Sequence, residues 1–379
     1  MPDFPVRTLL TCGLLFASIT KVMAGELIDV QAAAEQIMQQ YDIPGMSIAV
    51  TVNGRQHFYN YGVASKETAL PVTSDTLFEL GSISKTFTAT LATFAEANGQ
   101  LSLDDHPGKY LPQLKGSAFD HVALRDLATH TAGGFPLQVP DDVQNLEQLM
   151  AYLKAWQPQY PVGTKRTYAN PSVGMLGMIT ATAMNMPFKQ AMEQQLFPKL
   201  GLSNSYVDVP AAKMSAYAQG YDRQGAPMRL QGGVLGDQAY GMKSSSKDLL
   251  RFVEINIDPG QVDGVLARAT MATHTGYFTV GEMTQDLIWE QYPYPVDLET
   301  LQEGNSSKMA YETQPATLIT PPLEPQRNVW INKTGSTNGF GGYVAFVPAK
   351  RIGIVILANK NYPNEARVKL AHGIMRAVE

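Results

Sequence analysis

Ser82-Ile83-Ser84-Lys85 places a hydroxyl and an amine three residues apart at the head of a segment in which Ile83, Phe87, Leu91 and Phe94 share one helical face, before Asn98-Gly99 closes it. On a helix, positions i and i+3 are neighbours, so Lys85 can hold its nitrogen beside the Ser82 hydroxyl. Backbone N–H groups at a helix start have no partner within the helix and point toward developing negative charge. One turn can therefore supply a nucleophile, a proton partner and an oxyanion donor. The spacing itself is common: roughly one S-x-x-K arises by chance in a chain of this length. This chain has three. Ser18 with Lys21 lies in an apolar N-terminal run, and Ser244 with Lys247 reads as the polar start of a helix that continues through Asp248-Leu249-Leu250. Ser82 opens a long apolar helix, and its plainer reading is a helix N-cap.

Tyr168-Ala169-Asn170-Pro171 follows Pro161-Val162-Gly163-Thr164 in a loop, where a tyrosine near a lysine can carry a proton and an asparagine two residues on can face the same cleft. The plainer reading is a packing aromatic followed by an Asn-Pro turn. Lys333-Thr334-Gly335-Ser336 ends an expected strand. Beside an active serine, Lys333 could attract a substrate carboxylate, Thr334 could bond it, and Gly335 would let substrate lie against the backbone. Alternatively Lys333 is a surface lysine before a glycine turn into Gly339-Phe340-Gly341-Gly342. The six histidines show no H-E-x-x-H or other metal spacing, and no G-x-S-x-G elbow is present.

These candidates need a frame. With 379 residues, 44% hydrophobic and 17% charged, the chain is long enough for two or three structural units with sizeable cores. Its 29 basic and 34 acidic residues give a net charge of −5 without a basic run, so no nucleic-acid partner is expected. Arg7, the apolar run Leu9 to Ile19, and Val22-Met23-Ala24 read as a secretory signal, residues 1–24, cleaved before Gly25. The one cysteine, Cys12, falls inside that leader.

Asp29 to Tyr41 predicts a first helix, capped by Asp29. Met46 to Val52 and Arg55 to Tyr61 predict strands joined by a type I′ turn at Asn53-Gly54. Val329 to Thr334, Gly342 to Val347 and Ile352 to Ala358 predict three more strands, and Asn364 to Val378 a last helix. The α/β part covers about 25–80 and 205–379, and the helical lobe about 82–200. The class is α+β, an antiparallel sheet flanked by N- and C-terminal helices with an inserted all-helical lobe.

In the order Ser82-x-x-Lys85, Tyr168-x-Asn170, Lys333-Thr334-Gly335, the motifs resemble the penicillin-recognising serine enzymes. Tyr-Ala-Asn in place of Ser-Asp-Asn, and no E-x-x-L-N segment, resemble class C β-lactamases, the AmpC-type cephalosporinases. Phe78-Glu79-Leu80-Gly81, Pro136 to Pro140, Ala239-Tyr240-Gly241 and Leu357 to Arg367 support the likeness, which spans nearly the whole mature chain. Asn332, where relatives often have His, and His130, where they often have Tyr, depart from it. The stretch around His130 also resembles related peptidases and esterases.

The resemblance implies a β-lactamase/transpeptidase-like fold and an exported, periplasmic, monomeric enzyme. Its substrates would be β-lactams, with no cofactor, metal, membrane or obligate protein partner. Ser82 would be acylated, with the backbone N–H groups of Ser82 and Ser336 holding the oxyanion. Lys85 and Tyr168 would share the proton transfers. Gln138 and Asn170 would contact the substrate side-chain amide, Lys333, Thr334 and Asn364 would lie near its carboxylate, and Tyr240 would form one cleft wall. Arg367 is a further candidate from the same stretch as Asn364. Residues 283–325 would border the cleft. A D-alanyl-D-alanine peptidase or esterase of the same fold, and a penicillin-binding sensor, are the competing readings.

Overall fold

The computed structural model describes residues 30–379; the expected leader and Asp29 lie outside the described residues. The helices that frame the site are α1 (residues 30–41), α2 (Ser84–Ala97), α3 (Asn170–Ala183), α4 (Ser246–Ile257) and α5 (Asn364–Ala377). After α1 come β1 (Gly45–Val52) and β2 (Arg55–Gly62). Val52 pairs with Arg55 across Asn53-Gly54, whose φ angles of 53° and 80° are of the kind a type I′ turn requires.

The chain rejoins the same sheet through β3 (Gly276–Val280), β4 (Met283–Gln285), β5 (Glu290–Pro293), β6 (Thr317–Leu323), β7 (Val329–Ser336), β8 (Gly341–Val347) and β9 (Ile352–Ala358). Among the described residues the sheet has nine strands in the order β6-β3-β4-β5-β7-β8-β9-β1-β2. Every neighbouring pair is antiparallel. The strands β3 to β6 were not foreseen. They are short, and the Pro-rich stretch 283–325 that hides three of them also supplies, through residues 304–311, one side of the cleft described below.

The period of two explains why β8 and β9 are apolar at almost every position. Ile352, Ile354, Ile356 and Ala358 pack against Val30 and Ala34 of α1 and Val368, Ala371 and Met375 of α5. Val355 and Leu357 face the other way, into a core with Leu249 and Val253 of α4 and Phe87 of α2. The sheet is a middle layer covered on both faces.

Helix α2 is buried from Ser84 to Ala95 because it serves two cores at once. Ile83, Phe87, Leu91 and Phe94 fill the sheet-side core. Its small residues Ala89, Ala92 and Ala95 share a second core with Val173, Leu176 and Ile179 of α3 and with Leu124 and Leu127. The head of α2 is thereby fixed from both sides.

Candidate active site

Ser82 lies on a 3-10 turn, Gly81–Ile83, that runs directly into α2. It is not an N-cap: neither the turn nor the helix has a side-chain capping bond. The hydroxyl instead accepts a hydrogen bond from Lys85 Nζ at 2.9 Å. The capping reading holds for the other serine run, where Ser245 accepts from the Asp248 N–H at 3.1 Å.

The end of β7 crosses this turn at backbone contact. A Cβ on Gly335 would sit 2.1 Å from the Leu80 carbonyl oxygen, and one on Gly81, whose φ is +51°, would sit 2.5 Å from Ser336 N. Both positions need glycine for the two segments to meet. The Ser336 peptide therefore stands next to the Ser82 turn.

Lys85 is buried, and its three donors have three acceptors: Ser82 Oγ, Asn170 Oδ1 at 2.6 Å and the Ala239 carbonyl at 2.8 Å. Burial lowers its pKa to about 8, and the neighbouring Lys333 charge acts in the same direction, against the pull of Tyr168. Tyr168 is at the centre of a cationic ring, with Lys85 Nζ and Lys333 Nζ each 5.3 Å from its ring centre and Arg166 Cζ at 5.5 Å. Burial alone would raise the phenol. Lys333, Lys85 and a hydrogen bond with Ser82 overcome that and bring it down to about 8. Two proton carriers matched near the same pH therefore flank one hydroxyl, and they titrate as a pair.

Asn170 opens α3 and is oriented from both ends: its Oδ1 accepts from Lys85 while its Nδ2 donates to Gln138 Oε1 at 2.9 Å. On the opposite side, Lys333 is buried with Nζ 3.8 Å from Glu290 Oε1. Thr334 and Ser336 follow along the edge of the cleft. Asn364 donates to the Asn305 carbonyl at 3.1 Å and lines the same cleft. Arg367 is fully buried behind β7, donating to the Gly335 carbonyl at 2.8 Å and to Ser336 Oγ at 2.9 Å.

The cleft has a volume of about 720 Å³ and is lined by Ser82, Gln138, Tyr168, Asn170, Lys333, Thr334, Gly335, Ser336 and Asn364, with Lys85 beneath Ser82. Tyr240 is not among its lining residues. The Tyr240 hydroxyl turns back onto its own loop beside Gly233 and Gly236, and the part of that segment that reaches the site is the Ala239 carbonyl.

Two further residues, Arg166 and Glu290, escaped the sequence. Arg166, fully buried, pairs with Glu290 at 3.2 Å and donates to Gln285 Oε1 at 2.7 Å and the Met309 carbonyl at 2.8 Å. Glu290 thus sits between Arg166 and Lys333, and Asn332 donates to its other oxygen at 3.2 Å. The signal was an arginine two residues before the tyrosine. His130 lies against Tyr168 with ring centres 4.3 Å apart and the planes tilted by 36°, its Nδ1 accepting from Ala169 N; burial lowers its pKa and keeps it neutral.

A family model described as Beta-lactamase matches residues 30–379. The chain is 54% identical over 375 residues to the beta-lactamase of Lysobacter lactamgenus, covering 97% of each. The crystal structure of a beta-lactamase/D-alanine carboxypeptidase from Pseudomonas syringae superposes with a TM-score of 0.92 at 59% identity, covering 94% of this chain and 99% of that one. A class C beta-lactamase in complex with cefoxitin gives a TM-score of 0.90 at 51% identity over 93% and 99%.

Proposed function

Because the chain belongs to the beta-lactamase family, with the β-lactamase/transpeptidase-like fold of its class C members, we propose that it hydrolyses the amide of cephalosporins and penicillins through an acyl-serine on Ser82. Oγ attacks the lactam carbonyl carbon while its proton passes to the Lys85–Tyr168 pair. The C–N bond breaks as that proton is delivered to the departing nitrogen. Water then attacks the ester carbonyl while Tyr168 takes its proton, and that proton is returned to Ser82 Oγ as the ester C–O bond breaks. The N–H groups of Ser82 and Ser336 receive the oxyanion, a role in which each donor is worth about 10²–10³ in rate.

Lys333, Thr334, Ser336 and Asn364 would take the substrate carboxylate, with the buried Arg367 holding the Ser336 hydroxyl. Gln138 and Asn170 would take the side-chain amide. We read the chain as exported to the periplasm behind a leader of residues 1–24, and acting as a monomer. Among the described residues no helix is long and apolar enough to cross a membrane.

The observation that carries this reading is the Lys85 nitrogen 2.9 Å from Ser82 Oγ, with a phenol tuned to about 8 beside them. Steady-state hydrolysis of a chromogenic cephalosporin by the purified protein, with EDTA present, tests it. Rapid multiple turnover is expected. The relative from Pseudomonas syringae is named as both a lactamase and a D-alanine carboxypeptidase, so the same cleft has a second candidate substrate, a peptide ending in D-alanyl-D-alanine. One stoichiometric burst followed by silence would favour that use.

A further inference from the structure

Glu79 ends the short strand Leu77–Glu79, three residues before Ser82, and is 2% exposed. Its partners are neutral donors from two other segments. Oε2 accepts from Thr337 Oγ1 at 2.6 Å, and Oε1 accepts from the Tyr217 hydroxyl at 2.6 Å and the Leu230 N–H at 2.7 Å. A buried carboxylate is costly to desolvate and is tolerated where such bonds satisfy it.

What those bonds join is specific. Thr337 follows Ser336, where β7 ends, and its N–H bonds the Phe340 carbonyl at 3.1 Å as the chain turns toward β8. Leu80, next to Glu79, is held by its N–H to the Met242 carbonyl at 2.9 Å. The strand carrying Ser336 and the turn carrying Ser82 meet at the two glycine contacts described above, with Ile83 of the turn packed into the same core as Ile331 of β7, and these contacts carry no directional bond between the segments. The Thr337–Glu79 bond supplies one, a residue away from the Ser336 N–H. The loop tied down by Tyr217 and Leu230 carries Arg223, which lines the cleft.

We propose that Glu79 is a positioning residue of the oxyanion hole: its carboxylate ties the Ser82 turn to the end of β7 and so sets the separation of the two N–H groups that receive the oxyanion. This rests on the roles of Ser82 and Ser336 given above. A displacement of about 1 Å at a reacting centre costs on the order of 10²-fold in rate.

The test compares wild type, Glu79→Ala, Glu79→Gln and Thr337→Val, with rates expressed per serine titrated by a β-lactam whose acyl-enzyme is released slowly and with thermal midpoints recorded. Thr337→Val removes one bond and leaves Glu79 its other two, so it decides the matter if Glu79→Ala does not fold. Both are expected to lower kcat per titrated serine about 10- to 100-fold and to weaken phenylboronic acid, whose tetrahedral serine adduct occupies the oxyanion hole, by a similar factor. Glu79→Gln can still accept from Tyr217 and Leu230 while its amide donates to Thr337, so it should recover to within about threefold of wild type. Unchanged kcat and boronate affinity in the folded variants would overturn the proposal, as would a Glu79→Gln variant as impaired as the alanine. Absence of turnover by wild type would instead defeat the lactamase reading itself.

Discussion

Lys85 Nζ lies 2.9 Å from Ser82 Oγ and has no donor left over, because Asn170 Oδ1 at 2.6 Å and the Ala239 carbonyl at 2.8 Å take its other two bonds. The nitrogen is held on a tripod whose one reactive leg is the serine. Three donations need the ammonium; once the third proton leaves, the other two bonds can still hold the nitrogen while its lone pair accepts from the Ser82 hydroxyl.

Ser82→Ala removes that leg and nothing that holds the helix, since Ser82 caps neither its own turn nor α2. Loss of one hydrogen bond to the Lys85 ammonium should change stability by no more than about 3 kcal/mol, and by less where cleft water replaces the hydroxyl. Covalent labelling by penicillin should disappear while the thermal midpoint stays near wild type. Mass spectrometry of the incubated variant checks this, and retained labelling would mean another serine is the nucleophile.

The pH profile should be bell-shaped with its maximum near 8, because Lys85 and Tyr168 each sit at about 8 and one proton shared between them is the working state. Lys333 is the leading charge that lowers the Tyr168 phenol against burial. Lys333→Ala removes a cation, so the phenolate loses support, the phenol pKa rises, and the acid limb of kcat/KM moves to higher pH. Rates between pH 6 and 10 for both proteins measure the displacement; a shift toward acid would refute the assignment.

Arg166→Met leaves Glu290 buried with Lys333 at 3.8 Å as its remaining cationic partner. Breaking a buried pair by removing one member costs about 3–5 kcal/mol. Urea denaturation followed by fluorescence should show a loss of that size, and a loss below about 1 kcal/mol would mean the pair carries little of the fold.

Gly335→Ala would place a methyl group 2.1 Å from the Leu80 carbonyl oxygen, against backbone that cannot rotate away. The end of β7 must then retreat from Ser82 and take the Ser336 N–H with it. A fall in kcat/KM of about 100-fold or more is expected, read with the same chromogenic substrate.

Much of this was legible in the sequence where one local rule sufficed. Asn53-Gly54 specified its turn, the β-branched runs of β7 to β9 specified strands, and the apolar face of α2 picked Ser82 from three S-x-x-K candidates. What depended on distant partners was not legible. Arg166 and Glu290 are ordinary charged residues until the fold buries them together. The strands β3 to β5 are too short to show a period, β6 is interrupted by Pro321-Pro322, and pairing makes them strands. The segment at Tyr240 meets the site through the Ala239 carbonyl, and a backbone carbonyl leaves no mark on residue type.

The bond between Glu79 and Thr337 spans 258 residues of chain, and β1 is bordered on its inner side by β9, the last strand. Loop closure of that length is slow, and long-range antiparallel pairing comes late in folding. As the chain emerges N-terminus first, Ser82 and Lys85 appear early yet have no oxyanion partner, no Lys333 and an unfinished sheet. Catalytic competence is therefore a property acquired at the end of folding, when the C-terminal strands arrive, and a chain stalled before β7 would be inert toward any substrate while exposing the edges that β7 to β9 are meant to cover.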